Sequence, residues 1–553
     1  MQIELKTGPD ADYTYEEIQP GTAIRDVYLK HIEEMDSTAL VAKLDNRYVN
    51  LMEKITEPCR VELLDLSSHV GRLVYQHGMI MIYLKAVEDT MGRQRVDVQY
   101  ALSKGLYTEI NGGQEISDNE LKMIEDRMYE IVEKDMTFIK VTADRKSMEV
   151  ELDAAGLTEK KRLMEYNKDV KTFVYYSLEG FNNFFYGPMV PSTSYIRGFS
   201  LRRYRRGILL ALPVDRKGSG LQYIDDRKLY SAFMQTQKWQ RLLGVPFVVD
   251  LNKKIIQGEA KEMIQLSEAL HEQNIIELAQ RIIKEKKRII LISGPSSSGK
   301  TTFARRLCIQ LQVNGKKPLY LGTDDYFLNR DETPLNEKGE KDYESLTAVD
   351  VELFNDHLNR LLEGDKVDLP VFDFKNGEKI YGKRITSIDS ETPIVIEGIH
   401  ALNSKLTPKI DDIEKFKIYI SPLTQLNIDD HNRISVTDFR MLRRIVRDHQ
   451  FRGHSAQNTI KSWPSVRAGE NKNVFPFNGE ADAFINTMHI YEIGVLKKYA
   501  APLLEVIGPD EEEYAEARRL LQFLQFFVTI DDDHYIVNNS ILREFIGGSV
   551  FVE

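Results

Sequence analysis

The sequence predicts a multidomain α/β and α+β protein, with a parallel sheet in the C-terminal half and α+β units before it. Three observations predict this. At 553 residues the chain exceeds what one hydrophobic core organises, so two to four domains follow. Four short apolar runs in the C-terminal half (288–293, 318–321, 394–396 and 416–420) read as buried parallel strands. The first of them runs directly into a glycine-containing loop, and Phe303, Leu307 and Leu311 then recur at helical spacing. Strand, turn and helix thus stand in the order of an open parallel sheet.

The front of the chain reads differently. Ile3 and Leu5 alternate with polar residues, and Pro20-Gly21-Thr22 leads into a helix carrying Ile24, Val27 and Tyr28. Ser117-Asp118-Asn119-Glu120 is a capping box that starts a helix running to Glu133, and residues 207–214 are strand-like. Polar sequence of helical period follows, and Ala515, Leu520, Leu521 and Leu524 mark an amphipathic helix in the tail. The expected units are 1–62, 63–245, a helical connector 246–287, the sheet domain 288–508 and a helical extension 509–553.

Composition narrows the function classes. With 42% hydrophobic and 29% charged residues the chain is a folded protein rather than a disordered one. A net charge of -11 argues against broad, nonspecific nucleic-acid binding. Cys59 and Cys308 have no metal-like spacing and suit a reducing compartment without disulfides. The start Met-Gln-Ile-Glu-Leu lacks the basic and apolar regions of a signal peptide, and no apolar run approaches the ~20 residues of a membrane helix. The expectation is a cytoplasmic protein without a membrane partner.

The loop carries the chemistry. Gly294-Pro295-Ser296-Ser297-Ser298-Gly299-Lys300-Thr301-Thr302 satisfies G-x-x-x-x-G-K-[ST], the phosphate-binding loop. Gly294 and Gly299 allow the tight turn that aims backbone N–H groups at a polyphosphate, with Ser296, Ser297, Ser298 and Thr302 around it. Lys300 supplies charge to the β- and γ-phosphates, and Thr301 can ligate Mg²⁺. ATP and Mg²⁺ are the expected ligands. Two of the later runs end in acids: Asp324-Asp325-Tyr326-Phe327 after one, and Glu397-Gly398 after the other. At the carboxyl ends of parallel strands, Asp324 and Glu397 should converge on Lys300 and Thr301, whereas Asp325 is expected to cap locally. Arg440, Arg444 and Arg447 share a helix face, and a mobile arginine helix can neutralise a phosphoryl transition state.

These motifs are similar to those of the uridine kinase and phosphoribulokinase family. The resemblance rests on GPSSSGKTT, TDDYF, LPVFDF, IVIEGIHAL, LRRIVRD followed by RG, and AD-x-x-IN, in that order from Ile289 to about Leu504. It implies a C-terminal P-loop kinase domain, a phosphotransferase with an alcohol acceptor. Asp324 is then the general base, and Lys300, Arg447 and Arg452 are the other catalytic residues. Arg444 helps hold the nucleotide, and Thr301 and Glu397 hold Mg²⁺, directly or through water. Tyr326, Phe327, Glu344 (with Asp342 beside it) and Phe372 face the acceptor. The implied acceptor is a nucleoside, uridine or cytidine, phosphorylated at its 5′-hydroxyl. One departure is plain: where uridine kinases follow Y-D-F with a base-reading histidine and arginine, this chain has Phe372-Asp373-Phe374-Lys375-Asn376. A kinase of another small alcohol, such as a sugar phosphate or vitamin precursor, therefore stays open. So does an RNA-binding protein that senses nucleotide state.

A second resemblance covers the front half. Residues 1 to about 60 resemble the ubiquitin-like TGS domain that opens threonyl-tRNA synthetases. The next region resembles their second additional, editing-like domain, through Tyr75-Gln76-His77-Gly78-Met79, Ile124-Glu125-Asp126-Arg127-Met128 and the block from Phe181 to Thr193. The metal-binding pairs of that domain read here as His77 with Met81 and Phe185 with Met189, a set that cannot form a zinc shell. Editing chemistry is expected to be absent, and His77 to be packed. Arg197, Arg202, Arg203, Arg205 and Arg206 form the one dense basic cluster of this half, read as a salt-bridged surface in preference to an RNA contact. Self-association into a homo-oligomer is also consistent with the resemblance.

Overall fold

The computed structural model describes residues 1–102, 104–166, 170–218, 220–335, 339, 341–373, 375–424 and 426–552. Phe374, part of the LPVFDF motif, lies outside the described residues. Near the N-terminus a five-stranded sheet runs in the order Thr14–Glu17, Gln2–Lys6, Arg60–Leu64, Val41–Leu44, Arg47–Val49. Alternation puts Ile3, Leu5, Val61 and Leu63 on one face, where they pack with Ile24, Val27 and Tyr28 of the helix Ile24–Lys30. The helix His69–Met91 is apolar almost all round, as a helix enclosed by protein must be, and the Ser68 side chain caps its start. Around it lie a four-stranded antiparallel sheet (Ser200–Tyr204, Gly207–Ala211, Gly105–Ile110, Val96–Leu102) and the capping-box helix Asp118–Glu133. A three-stranded antiparallel sheet (Ile139–Asp144, Thr172–Leu178, Phe181–Asn183) completes this region.

The polar connector forms two helices, Val248–Ile256 and Ala260–Lys284. Beyond it, five strands pair in the order Leu319–Gly322, Ile394–Glu397, Ile289–Ser293, Lys415–Ser421, Ala483–Asn486, and every pair is parallel. The central strand is buried along its whole length, which explains its unbroken Ile-Ile-Leu-Ile run. Helix Lys300–Val313 covers one face through Phe303, Leu307 and Leu311. The expected strands are therefore present. Two further strands, Val367–Asp373 and Glu378–Thr386, form a hairpin beside this sheet.

The front-half expectations have definite places. His77 is held by packing: it stacks on Phe185 with ring centres 5.4 Å apart, and burial pushes its pKa down to about 4. Met81, Phe185 and Met189 are all buried. The arginine cluster is engaged within the chain: Arg206 pairs with Glu109 at 2.8 Å, Arg203 with Asp118 at 3.2 Å, and Arg202 lies 3.7 Å over the Tyr223 ring. No helix among the described residues is long and apolar enough to cross a membrane.

The C-terminal extension ties these regions together. Helix Tyr514–Leu524 carries Arg519, which donates to both carboxylate oxygens of Asp438 at 2.7 Å. Asp438 lies in the helix Val436–Arg452 and also meets His69 Nε2, at the start of the long helix of the second region, at 2.7 Å. Lys43 of the first sheet donates to the Glu512 carbonyl at 2.7 Å. Burial opposes ionisation of Asp438, yet the Arg519 guanidinium and the His69 ring outweigh it and hold the carboxyl well below the usual carboxylate range.

Asp438→Ala leaves the half-buried Arg519 with Glu516 as its remaining ion-pair partner. It should lower stability by about 3 kcal/mol, measurable by denaturant or thermal unfolding at pH 7. Because the folded-state pKa is depressed, this stability is present above the ordinary Asp pKa of about 3.9 and lost as pH falls through the folded-state value. The gap between wild type and variant should narrow as the medium is acidified below that point.

Candidate active site

The loop between the central strand and its helix is shaped by close approach. At Gly294 a Cβ would lie 2.3 Å from the Ile420 carbonyl oxygen, so only glycine fits between the two strands. Gly299 has φ +84°, the left-handed turn that swings the chain into helix Lys300–Val313. The loop's carbonyls are tied back from outside. Arg440 Nε donates to Ser296 O at 2.9 Å, Arg443 Nη1 to Ser297 O at 3.2 Å, and Thr487 Oγ1 to Ser298 O at 2.6 Å. Among the described residues no protein acceptor is within hydrogen-bond geometry of the Gly299, Lys300 and Thr301 N–H groups. The buried hydroxyls of Ser297 and Ser298 lack partners as well. Such a concave set of open donors at a helix N-terminus fits a polyphosphate. Lys300 lies across it, donating to the Gly294 and Pro295 carbonyls at 3.0 and 3.2 Å.

The acids come from the next two strands. Glu397 ends strand Ile394–Glu397 opposite Ile292 and Gly322, and its Oε1 accepts from Thr301 Oγ1 at 3.1 Å and from the Tyr320 hydroxyl at 3.0 Å. Burial, reinforced by the charge of Asp324, pushes Glu397 up to about 7 against Lys300. Asp324 sits in the turn Thr323–Tyr326 that follows strand Leu319–Gly322. The residue is exposed overall, yet desolvation of its carboxyl, with Asp325 adding to it, raises its pKa while Lys300 and Arg452 oppose the rise. Asp325 is structural: it accepts from Arg384 at 2.9 Å and from the Phe372 N–H at 3.3 Å, which pins the hairpin to the sheet.

The arginine helix divides into two sets. Arg440 and Arg443 are buried and paired, Arg440 with Glu470 and Arg443 with Glu492 at 2.6 Å. Arg440 is therefore a fixed part of the loop's scaffold, and the expectation of a mobile cation fails there because its charge is already matched in the interior. Arg444, Arg447 and Arg452 gather on a single carboxylate, Asp448, at 3.1, 3.0 and 3.5 Å. Arg444 also reaches the Ser296 hydroxyl at 2.9 Å. Three guanidiniums share this carboxylate at the loop's rim, with Glu344 near Arg444 and Asp324 near Arg452 as further acids.

The acceptor side is partly assembled. Phe327 meets Phe372 edge-to-face at 5.8 Å and Tyr343 at 6.4 Å. Glu344 is desolvated, which raises its carboxyl pKa, and Arg444 opposes that rise from nearby. Tyr326 departs from the expected acceptor role. It is 1% exposed, packs edge-to-face on Phe354 and bonds His357 through its hydroxyl at 3.2 Å. In the tight turn Asp324 faces the crevice and Tyr326 faces the core. The Lys375 and Asn376 N–H groups both donate to Asp373 Oδ1, at 2.9 and 3.2 Å. Glu470 and Glu544 had no sequence signal, although both accept N–H groups of the loop, Ser296 at 2.8 Å and Thr302 at 3.3 Å.

A phosphate-type loop with carboxylates at the ends of two adjacent parallel strands is a P-loop arrangement suited to phosphoryl chemistry. Residues 289–493 match the model described as "Phosphoribulokinase / Uridine kinase family". A uridine kinase of Ligilactobacillus salivarius (strain UCC118) is 31% identical over 184 residues, spanning 33% of this chain and 77% of the relative. A uridine kinase of Bacillus pumilus (strain SAFR-032) is 28% identical over 204 residues, spanning 37% and 88%. A solved structure described as a "Possible Uridine Kinase" from Bacillus stearothermophilus is 26% identical, covers 27% of this chain and 79% of that one, and has a TM-score of 0.23. The chain belongs to the phosphoribulokinase and uridine kinase family, phosphotransferases with an alcohol acceptor.

Gly294→Ala forces a methyl against the Ile420 carbonyl. It should destabilise the protein by about 1–3 kcal/mol and weaken nucleotide binding, read together by thermal unfolding and by titration with a fluorescent ATP analogue.

Proposed function

We propose that the protein is an ATP-dependent nucleoside kinase that transfers the γ-phosphoryl group to a 5′-hydroxyl, with uridine or cytidine as acceptor. The observation that carries this reading is the convergence of Asp324 and Glu397 on the loop whose open donors, Lys300 and Thr301 face the same crevice. Asp324 is the general base that accepts the acceptor's hydroxyl proton. Its exposure leaves room for a small alcohol, and the upward direction of its pKa makes the carboxylate a stronger proton acceptor. Lys300 turns from the Gly294 and Pro295 carbonyls to the β- and γ-phosphates. Arg444, Arg447 and Arg452 exchange part of their shared Asp448 contact for phosphate oxygens and exclude water from the crevice. Thr301 and Glu397 are the residues that would hold Mg²⁺, which neutralises charge on the phosphates when bound.

Phe327 and Phe372 provide an apolar wall for the acceptor, and Glu344 a carboxylate for ribose hydroxyls. After Phe372-Asp373 the sequence carries Phe374-Lys375-Asn376, where uridine kinases have a base-reading histidine and arginine. That observation favours a second reading, in which the acceptor is another small alcohol such as a sugar phosphate or vitamin precursor. For the front half we infer a TGS-type domain in 1–62 and a synthetase editing-like domain in 63–245 that serve as scaffold. The intrachain partners of its arginines count against an RNA contact. The connector 246–287, the kinase domain 288–508 and the extension 509–553 complete this division, and homo-oligomer formation stays part of the same reading.

ATP consumption measured against a panel of nucleosides and other small alcohols tests the acceptor. Stimulation by uridine and cytidine is the expected result. Stimulation only by a sugar phosphate or vitamin precursor moves the function to the second reading, and stimulation only by RNA removes both. Asp324→Asn should lower kcat at least about 10²-fold while the affinity for ATP stays within a few-fold of wild type. Near-normal turnover by that variant would show that Asp324 is not the base.

A further inference from the structure

The loop is already touched by two carboxylates of the chain itself. Glu470 takes the Ser296 N–H at 2.8 Å, but its charge is matched by Arg440 and by Arg467 at 2.8 Å. Glu544 is different. It lies in the C-terminal extension, is 7% exposed, and its Oε2 accepts from both the N–H and the hydroxyl of Thr302, at 3.3 and 2.7 Å. Thr302 is in the first turn of the loop helix, among the N–H groups that have no intrahelical partner and that cradle nucleotide phosphates in such loops. Among the described residues no ion pair accompanies Glu544.

Neighbouring contacts fix that carboxylate in place. Ile541 packs so closely on Gly299 that a Cβ there would lie 2.5 Å from Ile541 Cγ2. Ser540 donates to Glu268 at 2.5 Å, and Gln450 of the arginine helix donates to the Ile546 carbonyl at 3.0 Å. Ile541, Leu542, Phe545 and Ile546 are all buried, so the segment is anchored by apolar packing. Expelling the whole segment would forfeit that packing, whereas rotating a single glutamate side chain would not.

We propose that Glu544 is a built-in competitor for nucleotide: its carboxylate stands in for a phosphate oxygen at Thr302, and a bound nucleotide must displace it. Resting on the reading that this loop binds a nucleoside triphosphate, the inference adds a regulation of that site. A carboxylate and a phosphate oxygen use the same donors and the same helix N-terminus, and two uncompensated anions cannot share them. The affinity for nucleotide is thereby set lower than the open loop alone would give, in proportion to the fraction of molecules with the carboxylate withdrawn. Movement of the segment by a partner or by the arginine helix would raise that affinity without any change in the loop.

The test uses the full chain and its Glu544→Gln and Glu544→Ala variants, titrated with Mg·ATP and Mg·ADP by calorimetry. Glu544→Gln keeps the volume and an acceptor for the Thr302 hydroxyl but removes the charge. Both variants should bind both nucleotides more tightly than wild type, Glu544→Ala by about tenfold and Glu544→Gln by less. A thermal midpoint measured without ligand verifies that each variant is folded. Wild type that binds ATP while a folded Glu544→Gln binds it equally or more weakly overturns the competitor and makes Glu544 a permanent cap of the helix, leaving the kinase reading intact. Absence of nucleotide binding in all three proteins overturns both.

Discussion

The phosphate loop depends on two guanidiniums that do not reach solvent. Arg440 and Arg443 bind the carbonyls of Ser296 and Ser297 from behind, and Thr487 does the same for Ser298. A peptide whose carbonyl is fixed on one side must turn its N–H to the other, so these three contacts set the loop's polarity. Holding two arginines in the interior is expensive unless each has a partner. Glu470 and Glu492 supply them, and both come from chain downstream of the arginine helix. The concave donor surface is therefore a property of the whole C-terminal half.

The same helix connects the loop to the rest of the molecule. Its first turn holds Asp438, clasped between Arg519 of the extension and His69 of the front half. Its middle supplies the two scaffold arginines, and its last turns present Arg444, Arg447 and Arg452 at the rim, around Asp448. One continuous helix thus touches the front half, the phosphate loop and the charged rim.

Much of the sheet and part of the site were legible because their signals are local. Ile289–Ser293 is a run of buried residues followed by the loop, and Glu397 ends a strand of the same kind, so adjacency in sequence became adjacency in space. The ambiguity began where one residue has two faces available. Tyr326 shares a short motif with Asp324, and only the turn geometry sends the acid to the crevice and the ring to the core. Arg440 and Arg447 look equivalent on a helix wheel, and what separates them is Glu470, thirty positions away on another helix. Glu544 was the least legible. An acidic residue near the end of a chain has no periodicity or spacing that points to a loop more than two hundred residues earlier.

The closing segment has a consequence for how the molecule is made. The apolar core under the loop helix includes Ile541 and Phe545 together with Ile292, Phe303 and Leu307. A ribosome delivers those last two side chains after every strand of the parallel sheet has been synthesised. Until then the nascent sheet exposes an apolar notch beside its phosphate loop, with the Thr302 donors uncovered. The core under the loop helix can therefore close only after residues 541–546 have been made, because Ile541 and Phe545 are part of it. Vectorial synthesis therefore makes the arrival of residues 541–546 the step that seals this core.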